Sequence, residues 1–487
     1  MYTYKKEWSL ETNESAVIIG VGTEDAGLPD ALTHGTKDLH DLLNKKYSHI
    51  KKQKGKVISF TVPSGSEWTT LIFVGKGDDT EISSLKEALG AGFQAASDDA
   101  KVAVLIDTFT NDRFDSSDVA QVAAEMGHVS TYTFDAYKTN KQEKPDQSIT
   151  FYTNGEANEA AIVAGTATAK GVNLARTLVN IPANDLTPVA LAGEARALAS
   201  RFDHFSFDVL GNEQLEEMGM DALLSVNKGS DLPAQMIVLR YQGQETWSEP
   251  LTFVGKGLTY DTGGYSLKPA DGMKTMKSDM GGAASVLGAM EVVGHLQPDV
   301  NVMAVIPSTE NMVNGQAMRP GDVIGSFDGQ TIEVTNTDAE GRLALADGVS
   351  YAKHLGAAKI VDVATLTGAC VVALGDVVTG SVSNNDDFYA QAEAAAKQSG
   401  EAIWRFPTHP HYYEMLKQTD VADLNNAPGR LAGSITAGLF IQSFVKDTPW
   451  VHLDIAGTSF LDRVTPMGPK GGTGVMVRTL ATMALDQ

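Results

Sequence analysis

Apolar runs of four to seven residues alternate along the chain with longer segments whose apolar residues recur at helical spacing. Short runs bounded by Gly, Asn, Asp or Ser are typical of buried strands, and the segments between them are typical of helices covering a sheet. The alternation predicts an α/β fold with a largely parallel sheet. In the first third, the predicted strands are Ser15–Gly20, Val57–Val62, Thr70–Gly75, Val102–Ile106, Thr131–Phe134 and Ile149–Tyr152, and the predicted helices are Lys37–Leu43 and Ser83–Ala96.

An Ala-rich segment from about Ala160 to Leu178 predicts a long connecting helix after a small polar cluster. Domain boundaries commonly fall at such clusters. We therefore predict a smaller N-terminal α/β domain over 1–158, a connecting helix over 159–180 and a larger C-terminal α/β domain over 181–487. The larger domain should hold a mixed, mostly parallel sheet flanked by helices. Its predicted strands are Phe207–Leu210, Met236–Tyr241, Leu251–Gly255, Val300–Ile306, Thr331–Val334, Lys359–Val363, Val377–Ser381 and Trp450–Asp454.

The pentapeptide Phe-Val-Gly-Lys-Gly occurs twice, at 73–77 and at 253–257, each time at the end of a predicted strand. An acidic residue follows each lysine by five positions, Glu81 in the first copy and Asp261 in the second. We interpret the first copy as a strand ending in a glycine turn. The second copy leads into a dense polar segment and is the candidate for chemistry.

That polar segment, residues 255–282, contains Lys256, Asp261, Lys268 and Asp279 and runs into a helix of small residues. Asp279 stands where a helix N-cap would, and capping is an equally good local interpretation of it. Doubly wound sheets bind ligands beyond the carboxyl ends of their strands, so we expect the chemistry in the loops after 255, 306, 335, 363 and 454.

A second charged segment, residues 336–347, reads Asn-Thr-Asp-Ala-Glu-Gly-Arg-Leu-Ala-Leu-Ala-Asp. It places Asp338, Glu340 and Arg342 at alternate positions, which share one face if the segment is extended. Two carboxylates held that close need a positive partner, which is either Arg342 or a metal ion.

Together the two segments supply four carboxylates, which would raise one another's pKa and destabilise the fold unless cations neutralise them. Two divalent ions would cancel that charge, and oxygen-rich ligation favours Zn²⁺, Mn²⁺ or Mg²⁺ over soft metals. Two adjacent ions can share a water, lower its pKa and polarise a carbonyl, which is the chemistry of a hydrolase.

The amino-acid composition argues against several classes of protein and site. The net charge is −23, which argues against nucleic acid as a partner, because phosphate binding needs a basic surface. Cys370 is the single cysteine, so a disulfide framework and a Cys-rich zinc site are excluded. The N-terminal residues lack the apolar core of a signal peptide, and no run approaches the roughly 20 apolar residues of a membrane helix. We expect a cytoplasmic protein without a membrane partner.

The two charged segments resemble the catalytic signatures of the leucyl aminopeptidase family, also called the cytosol aminopeptidases. The resemblance extends over most of the second domain, through Asn180–Pro188, Arg319–Asp322, Ala364–Ala369 and His452–Gly457. The residues before the connecting helix carry no family motif and are similar only by analogy to the family's variable N-terminal domain, which implies an oligomeric or regulatory role.

The resemblance implies a metallo-exopeptidase that hydrolyses the N-terminal peptide bond of peptides and prefers apolar, leucine-like N-terminal residues. Its cofactors would be two divalent ions per subunit, Zn²⁺ or Mn²⁺ with Mg²⁺ and Co²⁺ as alternatives, and a bicarbonate ion. The implied metal ligands are Lys256, Asp261, Asp279, Asp338 and Glu340. Lys268 would stabilise the oxyanion, and Arg342 would hold the bicarbonate as general base for a water shared by the metals.

For the substrate side chain, the resemblance implies an apolar pocket whose candidate residues are Met276, Thr365, Leu366 and Gly368. Core packing is the alternative for Met276. The family often has a basic residue and proline after Thr-Gly near the C-terminus, whereas Thr473-Gly474 is followed here by Val475-Met476. The partners implied are peptides with a free N-terminus and further copies of the chain in a homohexamer, a dimer of trimers.

Two other classes of function remain open from the sequence. One is a catalytically silent binding or regulatory protein on the same fold, although such a module would have no reason to retain both Lys268 and Arg342. The other is a metal-dependent hydrolase of non-peptide amides or esters. His409 and His411 have ligand-like spacing but lie outside the matched motifs, so we interpret them as structural.

Overall fold

The computed structural model describes residues 2–10, 12–22, 45, 50, 53–64, 67–77, 81–141, 144–156 and 158–487. The predicted helix Lys37–Leu43 lies outside these residues. The chain divides into two compact units, Met1–Lys170 with Arg463–Lys470 and Gly171–Asp462 with Gly471–Gln487. Among the described residues, no helix combines the length and apolar character needed to cross a bilayer.

The described part of the first unit is an α/β layer, and the long helix α3 spans the division between the units along the chain. The strands are β1 Tyr2–Lys5, β2 Ala16–Val21, β3 Val57–Ser64, β4 Glu67–Gly75, β5 Lys101–Leu105 and β6 Ser148–Tyr152, and the helices are α1 Ile82–Ala95, α2 Ser116–Val129 and α3 Glu159–Asn180.

The sheet of this unit has the order β1-β6-β5-β2-β4-β3 and is parallel except for the β3–β4 pair. Every residue of the central strand β2 is buried, as expected for a fully apolar run in a parallel sheet. The predicted strand Thr131–Phe134 is wrong. The hydroxyls of Ser130 and Thr131 instead donate back to the carbonyls of Met126 and Gly127, at 2.6 and 2.7 Å, and no strand pairs with the segment.

The second unit holds the larger sheet and most of the helices. Its strands are β7 Phe205–Leu210, β8 Gln235–Gln242, β9 Leu251–Gly255, β10 Gly257–Asp261, β11 Asn301–Asn311, β12 Asp322–Ile324, β13 Ile332–Val334, β14 Lys359–Ala364, β15 Thr379–Ser383, β16 Ile403–Arg405, β17 Leu424–Asn425, β18 Trp450–Asp454, β19 Phe460–Leu461 and β20 Gly471–Gly472. Its helices are α4 Pro188–Ala199, α5 Asn212–Glu217, α6 Asp221–Asn227, α7 Ala270–Met273, α8 Gly281–Leu296, α9 Gly341–His354, α10 Gly368–Leu374, α11 Asp386–Ser399, α12 Pro410–Leu416, α13 Gly433–Val445 and α14 Val477–Leu485.

The central sheet of the second unit has the order β16-β15-β18-β14-β9-β11-β8-β7. Strands β18, β14, β9 and β11 are mutually parallel, whereas β15 pairs with β18, β8 with β11 and β7 with β8 in antiparallel fashion. The sheet is therefore mixed and mostly parallel, as predicted. Because four parallel strands end at one edge, the loops that follow them meet there.

Helices cover both faces of this sheet. A Cβ built on Gly348 of α9 would lie 3.3 Å from Val254, and one built on Gly255 would lie 2.8 Å from Ala283 of α8. Neighbouring residues of a strand point to opposite faces, so α9 and α8 pack on opposite sides of β9. One continuous core cluster joins α6, α9 and α13 to the strands on the first of these faces.

Residues 257–261, which we expected to lie in the loop after residue 255, form the strand β10. It pairs in parallel with the second half of β11, from Gly257 opposite Ser308 to Asp261 opposite Asn311. Strand β11 accordingly runs five residues beyond its predicted end at Ile306. The added ladder fixes the position of Asp261 at the edge of the sheet.

Candidate metal centre

Three carboxylates converge at the carboxyl-terminal edge of the central sheet. Asp261 is the last residue of β10, and Asp338 and Glu340 lie in the turn between β13 and α9. One oxygen of each lies within 4.8 Å of the others, and Asp261 and Glu340 are each only 1% exposed. Residues 336–340 form a turn rather than the extended segment that we expected, so the start of α9, and not strand alternation, brings these side chains together.

Asp279 follows the short 3₁₀-helix Met276–Ser278 and faces the same centre. It does not cap α8, because Met280 occupies the N-cap position, so the capping interpretation is wrong. Its Oδ1 accepts hydrogen bonds from Thr365 Oγ1 at 2.7 Å and from Lys256 Nζ at 2.9 Å.

Lys256 connects β9 to β10 and lies between two of the carboxylates. Its Nζ is 2.8 Å from Asp279 Oδ2 and 3.0 Å from Glu340 Oε1, and it donates to the carbonyl of Thr365 at 2.9 Å. Burial lowers the pKa of this ammonium, but the carboxylates of Asp279, Glu340 and Asp261 outweigh burial and hold the pKa of Lys256 above its usual value.

Two glycines make room for the Lys256 side chain and its backbone. A Cβ on Gly341 would lie 2.5 Å from Lys256 Cε, and a Cβ on Gly282 would lie 2.0 Å from the carbonyl oxygen of Val363 and 2.9 Å from the Lys256 nitrogen. None of these three distances is compatible with a larger residue at either glycine. The small residues at the starts of α9 and α8 are therefore required for the close packing of the centre.

Lys268 occupies the other side of the triad. Its Nζ is 2.7 Å from Asp261 Oδ2 and also forms an ion pair with Asp338 Oδ1. Burial lowers the pKa of Lys268, but Asp261, Glu340, Asp279 and Asp338 raise it further, so this ammonium stays protonated near neutral pH.

The carboxylates of the centre carry more negative charge than the two lysines neutralise. Burial and the neighbouring Asp261 raise the pKa of Glu340 to about 8, and burial raises the pKa of Asp279 to about 6 despite the opposing effect of Lys256. Glu340 Oε2 is buried and accepts no hydrogen bond from the described residues. With all four acids ionised, four carboxylates and two ammonium groups leave two negative charges, and carboxylate oxygens are the ligands that divalent cations prefer. The residues present therefore fit divalent metal ions.

Asn311 and Thr337 brace the triad, and the sequence analysis did not identify either of them. Asn311 Nδ2 donates to Asp261 Oδ1 at 2.8 Å and to the carbonyl of Thr337 at 3.1 Å, while Thr337 Oγ1 donates to the carbonyl of Gly263 at 2.6 Å. A single Asn at a strand end and a Thr in a turn have no spacing signature. Asn311 could have been identified only if the sequence had predicted that β11 continues to residue 311, where Asn311 is its last residue.

Arg342 lies in the first turn of α9 and is 8% exposed. Its Nη1 donates to the carbonyl of Asn426 at 2.7 Å, and its Nε is buried with no hydrogen-bond acceptor among the described residues. Burial lowers the pKa of Arg342 to about 10, against the opposing charges of Glu340, Asp454 and Asp338. Arg342 does not lie between Asp338 and Glu340 as their neutralising partner, because the two lysines hold those positions.

A cavity of about 600 Å³ opens beside Asp338 and Arg342. Of the predicted substrate-binding residues, Leu366 and Gly368 line it. Thr365 does not line it and holds Asp279 instead. Met276 is half-buried in the 3₁₀-helix beside Asp279 and also lies outside the cavity lining.

The two histidines with ligand-like spacing and the single cysteine have structural roles. His409 caps α12, accepting from the His411 nitrogen at 3.2 Å, so neither histidine adds to the metal centre. Cys370 is buried, and burial raises the pKa of its thiol to about 12. Sequence reasoning missed a buried pair in which His452 Nδ1 lies 2.6 Å from Asp362 Oδ1.

Comparison with known proteins agrees with this geometry. Residues 173–481 match the catalytic domain of the cytosol aminopeptidase family, and residues 18–141 match its N-terminal domain. The fold and the cluster of acids and lysines thus define an aminopeptidase of the divalent-metal-dependent class. The chain belongs to the cytosol aminopeptidase family.

Solved structures similar to the chain include one described as "Bottromycin maturation enzyme BotP", with 32% sequence identity and a TM-score of 0.85. A second, described as the same enzyme in complex with Mn, has 31% identity and a TM-score of 0.85. Each alignment covers 97% of this chain and 99% of the other. The similarity therefore extends over both units rather than the catalytic domain alone.

Proposed function

We propose that the protein is a dinuclear metallo-aminopeptidase that removes apolar, leucine-like N-terminal residues from peptides. The observation that carries the proposal is the position of Glu340, a buried carboxylate shared between the Asp261–Asp338 triad and the Lys256–Asp279 pair. A carboxylate that lies between two sets of ligands can bind two neighbouring metal ions at the same time.

We assign Lys256, Asp261, Asp279 and Glu340 to one ion, and Asp261, Asp338 and Glu340 to the other. When bound, the ions would supply Lewis acidity toward the scissile carbonyl and lower the pKa of a shared water. Zn²⁺ and Mn²⁺ are the candidates, since both accept oxygen and nitrogen ligands. The Mn complex of the similar solved structure supports Mn²⁺ as the first ion to test.

Lys256 has to lose its proton in this assignment, because an ammonium group has no lone pair to donate. The same carboxylates that hold its proton in the metal-free structure would be neutralised by the ions, and a nearby cation favours the neutral amine. Lys256 would therefore have to release its proton before its Nζ could serve as a metal ligand.

Lys268 and Arg342 carry the remaining chemistry in our proposal. Lys268 stays protonated beside Asp261 and donates to the oxygen on which negative charge develops during attack on the carbonyl. Arg342, with its Nε unpaired, would hold a bicarbonate ion, whose chemistry when bound is that of a general base. In the described part of the chain, no histidine joins the carboxylates and lysines of the centre to do that work.

The N-terminal amine of the substrate must be neutral to bind a metal ion, and its pKa near 8 makes deprotonation inexpensive. Activity should therefore be greatest on the alkaline side of neutrality. An activity maximum below about pH 6 would contradict this assignment of the amine.

The proposal is tested by release of p-nitroaniline from leucine p-nitroanilide with no added metal, with Mn²⁺ and with Zn²⁺. The wild type should be active with at least one metal, Asp338→Ala should be inactive with all of them, and Asp271→Ala should match the wild type because that carboxylate is 93% exposed on α7. An inactive wild type under every condition would favour the binding or regulatory alternative.

We also propose that the protein is a homohexamer, on the strength of its family membership. Light scattering coupled to size-exclusion chromatography should give six times the 51.7 kDa chain mass. A monomer in that measurement would refute the assignment.

A further inference from the structure

The cavity beside the metal centre continues away from it as a groove. Asp338 and Arg342 line it on the side of the metal centre, and one wall is the chain segment 427–436. Asn426 fixes that wall to the centre, because its carbonyl accepts from Arg342 and its Nδ2 donates to the carbonyl of Asn336 at 2.8 Å. The wall is thus rigidly placed relative to the reacting groups.

The floor of the groove is the junction of α10 and α13. Thr367 Oγ1 lies 3.0 Å from Ser434 Oγ, and a Cβ on Gly433 would lie 3.1 Å from Ala369 Cβ. Apolar side chains, including Val372 and Ile435, line the groove above this junction, and Val372 is 90% exposed. An exposed apolar surface next to a reactive centre is typical of a surface that receives a ligand.

Arg430 adds a cation to this apolar lining. It is exposed, and no hydrogen bond or ion pair to another described residue restrains its guanidinium. The flanking Gly429 and Ala432 have φ of 130° and 54°, and a positive φ at an alanine is uncommon and marks a backbone held in place by its surroundings. The wall therefore turns sharply on both sides of Arg430.

We propose that Arg430 pairs with the C-terminal carboxylate of a short peptide whose residues downstream of the scissile bond lie in this groove. The inference rests on the proposed aminopeptidase function and adds a preference for short peptides with a free C-terminus. Charge complementarity carries it: the chain has a net charge of −23, and a peptide carboxylate arriving beside a cluster of acids needs a local cation.

Arg342 cannot serve as that cation. It is 8% exposed and is assigned to the bicarbonate ion in the proposed function, whereas Arg430 is exposed and lines the groove. The N-terminus of α13 reinforces Arg430, since its N-cap residue Ala432 offers no capping side chain and the helix dipole favours a negative group there. The anionic end of the substrate is thereby drawn toward Arg430.

The test compares Leu-Gly, Leu-Gly-Gly and Leu-Gly-Gly-Gly with their C-terminal amides, using leucine p-nitroanilide as a substrate that lacks a carboxylate. For the wild type, kcat/KM should be about fivefold higher for the free acid than for the amide of the same peptide, for at least one of the three peptide lengths. A fivefold ratio is the upper end of what an exposed ion pair contributes. The preference should lie mainly in KM and weaken as salt is added.

Arg430→Gln should abolish the difference between acid and amide without changing hydrolysis of the anilide. Arg430→Lys should restore part of it, and Arg319→Gln, at an exposed arginine outside this groove, should leave it intact. Equal rates for acid and amide with the wild type, or an unchanged preference in Arg430→Gln, would overturn the inference while the anilide is still hydrolysed. Failure to hydrolyse the anilide and every peptide would instead overturn the proposed function itself.

Discussion

The same five residues, Phe-Val-Gly-Lys-Gly, end a buried strand in each unit of the molecule, and the two copies do different things. In the first unit, Lys76 follows β4 and its Nζ donates to the carbonyl of Thr108 at 2.6 Å. In the second, Lys256 follows β9 and is held between Asp279 and Glu340. The pentapeptide itself determines where the strand ends. The residues that neighbouring strands and helices place around its lysine determine whether that lysine belongs to a site.

The acid five residues after each lysine shows the same contrast. Glu81 stands at the N-cap of α1 and makes an exposed ion pair with Arg113 at 3.4 Å. Asp261 ends β10, which pairs with β11 and carries its carboxylate into the buried triad. A second strand after the pentapeptide, present only in the second unit among the described residues, accounts for the difference.

Replacing each lysine tests this contrast with the largest expected effect. Lys256→Met should lower kcat/KM for leucine p-nitroanilide by at least about 100-fold, because loss of a group that orders a metal site has effects of this size. Lys76→Met should leave it at the wild-type value. If both variants lost kcat/KM equally while their circular dichroism spectra stayed unchanged, the two lysines would not differ in the way that we propose.

Replacing the strand-end glycines should instead give similar effects in the two units. A Cβ on Gly75 would lie 2.1 Å from the carbonyl oxygen of Gln53, and a Cβ on Gly255 would lie 2.8 Å from Ala283 Cα. We expect Gly75→Ala and Gly255→Ala each to lower the free energy of unfolding by about 1–3 kcal/mol in urea titrations. Gly193→Ala in α4 is the control, since no atom lies within 4 Å of its Cβ; behaviour like this control would contradict the packing argument.

The metal-free protein should lose stability as pH rises, chiefly through the buried acids of the second unit. The pKa of Glu340 is raised to about 8 in the folded state, so its stabilising contribution is full below its unfolded value near 4.3 and is lost as pH rises through 8. One such proton gives a slope of at most about 1.4 kcal/mol per pH unit. Glu340→Gln should flatten the decline of the melting temperature between pH 5 and pH 8; an identical slope in both proteins would contradict the shift.

The smallest effect is expected for the acid of the first copy. Glu81→Gln should change the free energy of unfolding by less than about 0.5 kcal/mol, because its partner Arg113 and Glu81 itself are both well exposed. Differential scanning calorimetry should show no resolved shift in the melting temperature, and a loss above 1 kcal/mol would contradict a role limited to the exposed ion pair with Arg113.

Much of the fold followed from apolar runs, and the exceptions have physical reasons. β1 was not predicted, because its four residues alternate between exposed and half-buried and resemble a surface tail until β6 pairs with them. The strand at Thr131–Phe134 was predicted from β-forming residues, but strand propensity depends on a neighbour to pair with. β10 was hidden by its glycine neighbours, which resemble a loop.

The residues of the site could be predicted where several charged residues lie close together in the sequence. They could not be predicted where a single polar residue contacts the site from a distant part of the chain. The seven charged residues that were predicted as metal ligands or catalytic groups come together in the second unit. Asn311 and Asn426 brace them through contacts across 50 and 84 residues of chain. Thr365, which was predicted to contact substrate, holds Asp279, because the turn after β14 directs its hydroxyl there.

The central claim is that the second copy of the pentapeptide is half of a two-ion site. Counting bound Mn²⁺ by native mass spectrometry tests it most directly, using the wild type beside the Lys76→Met control. We predict two ions per chain in both proteins, and zero or one ion per chain at saturation would contradict the account.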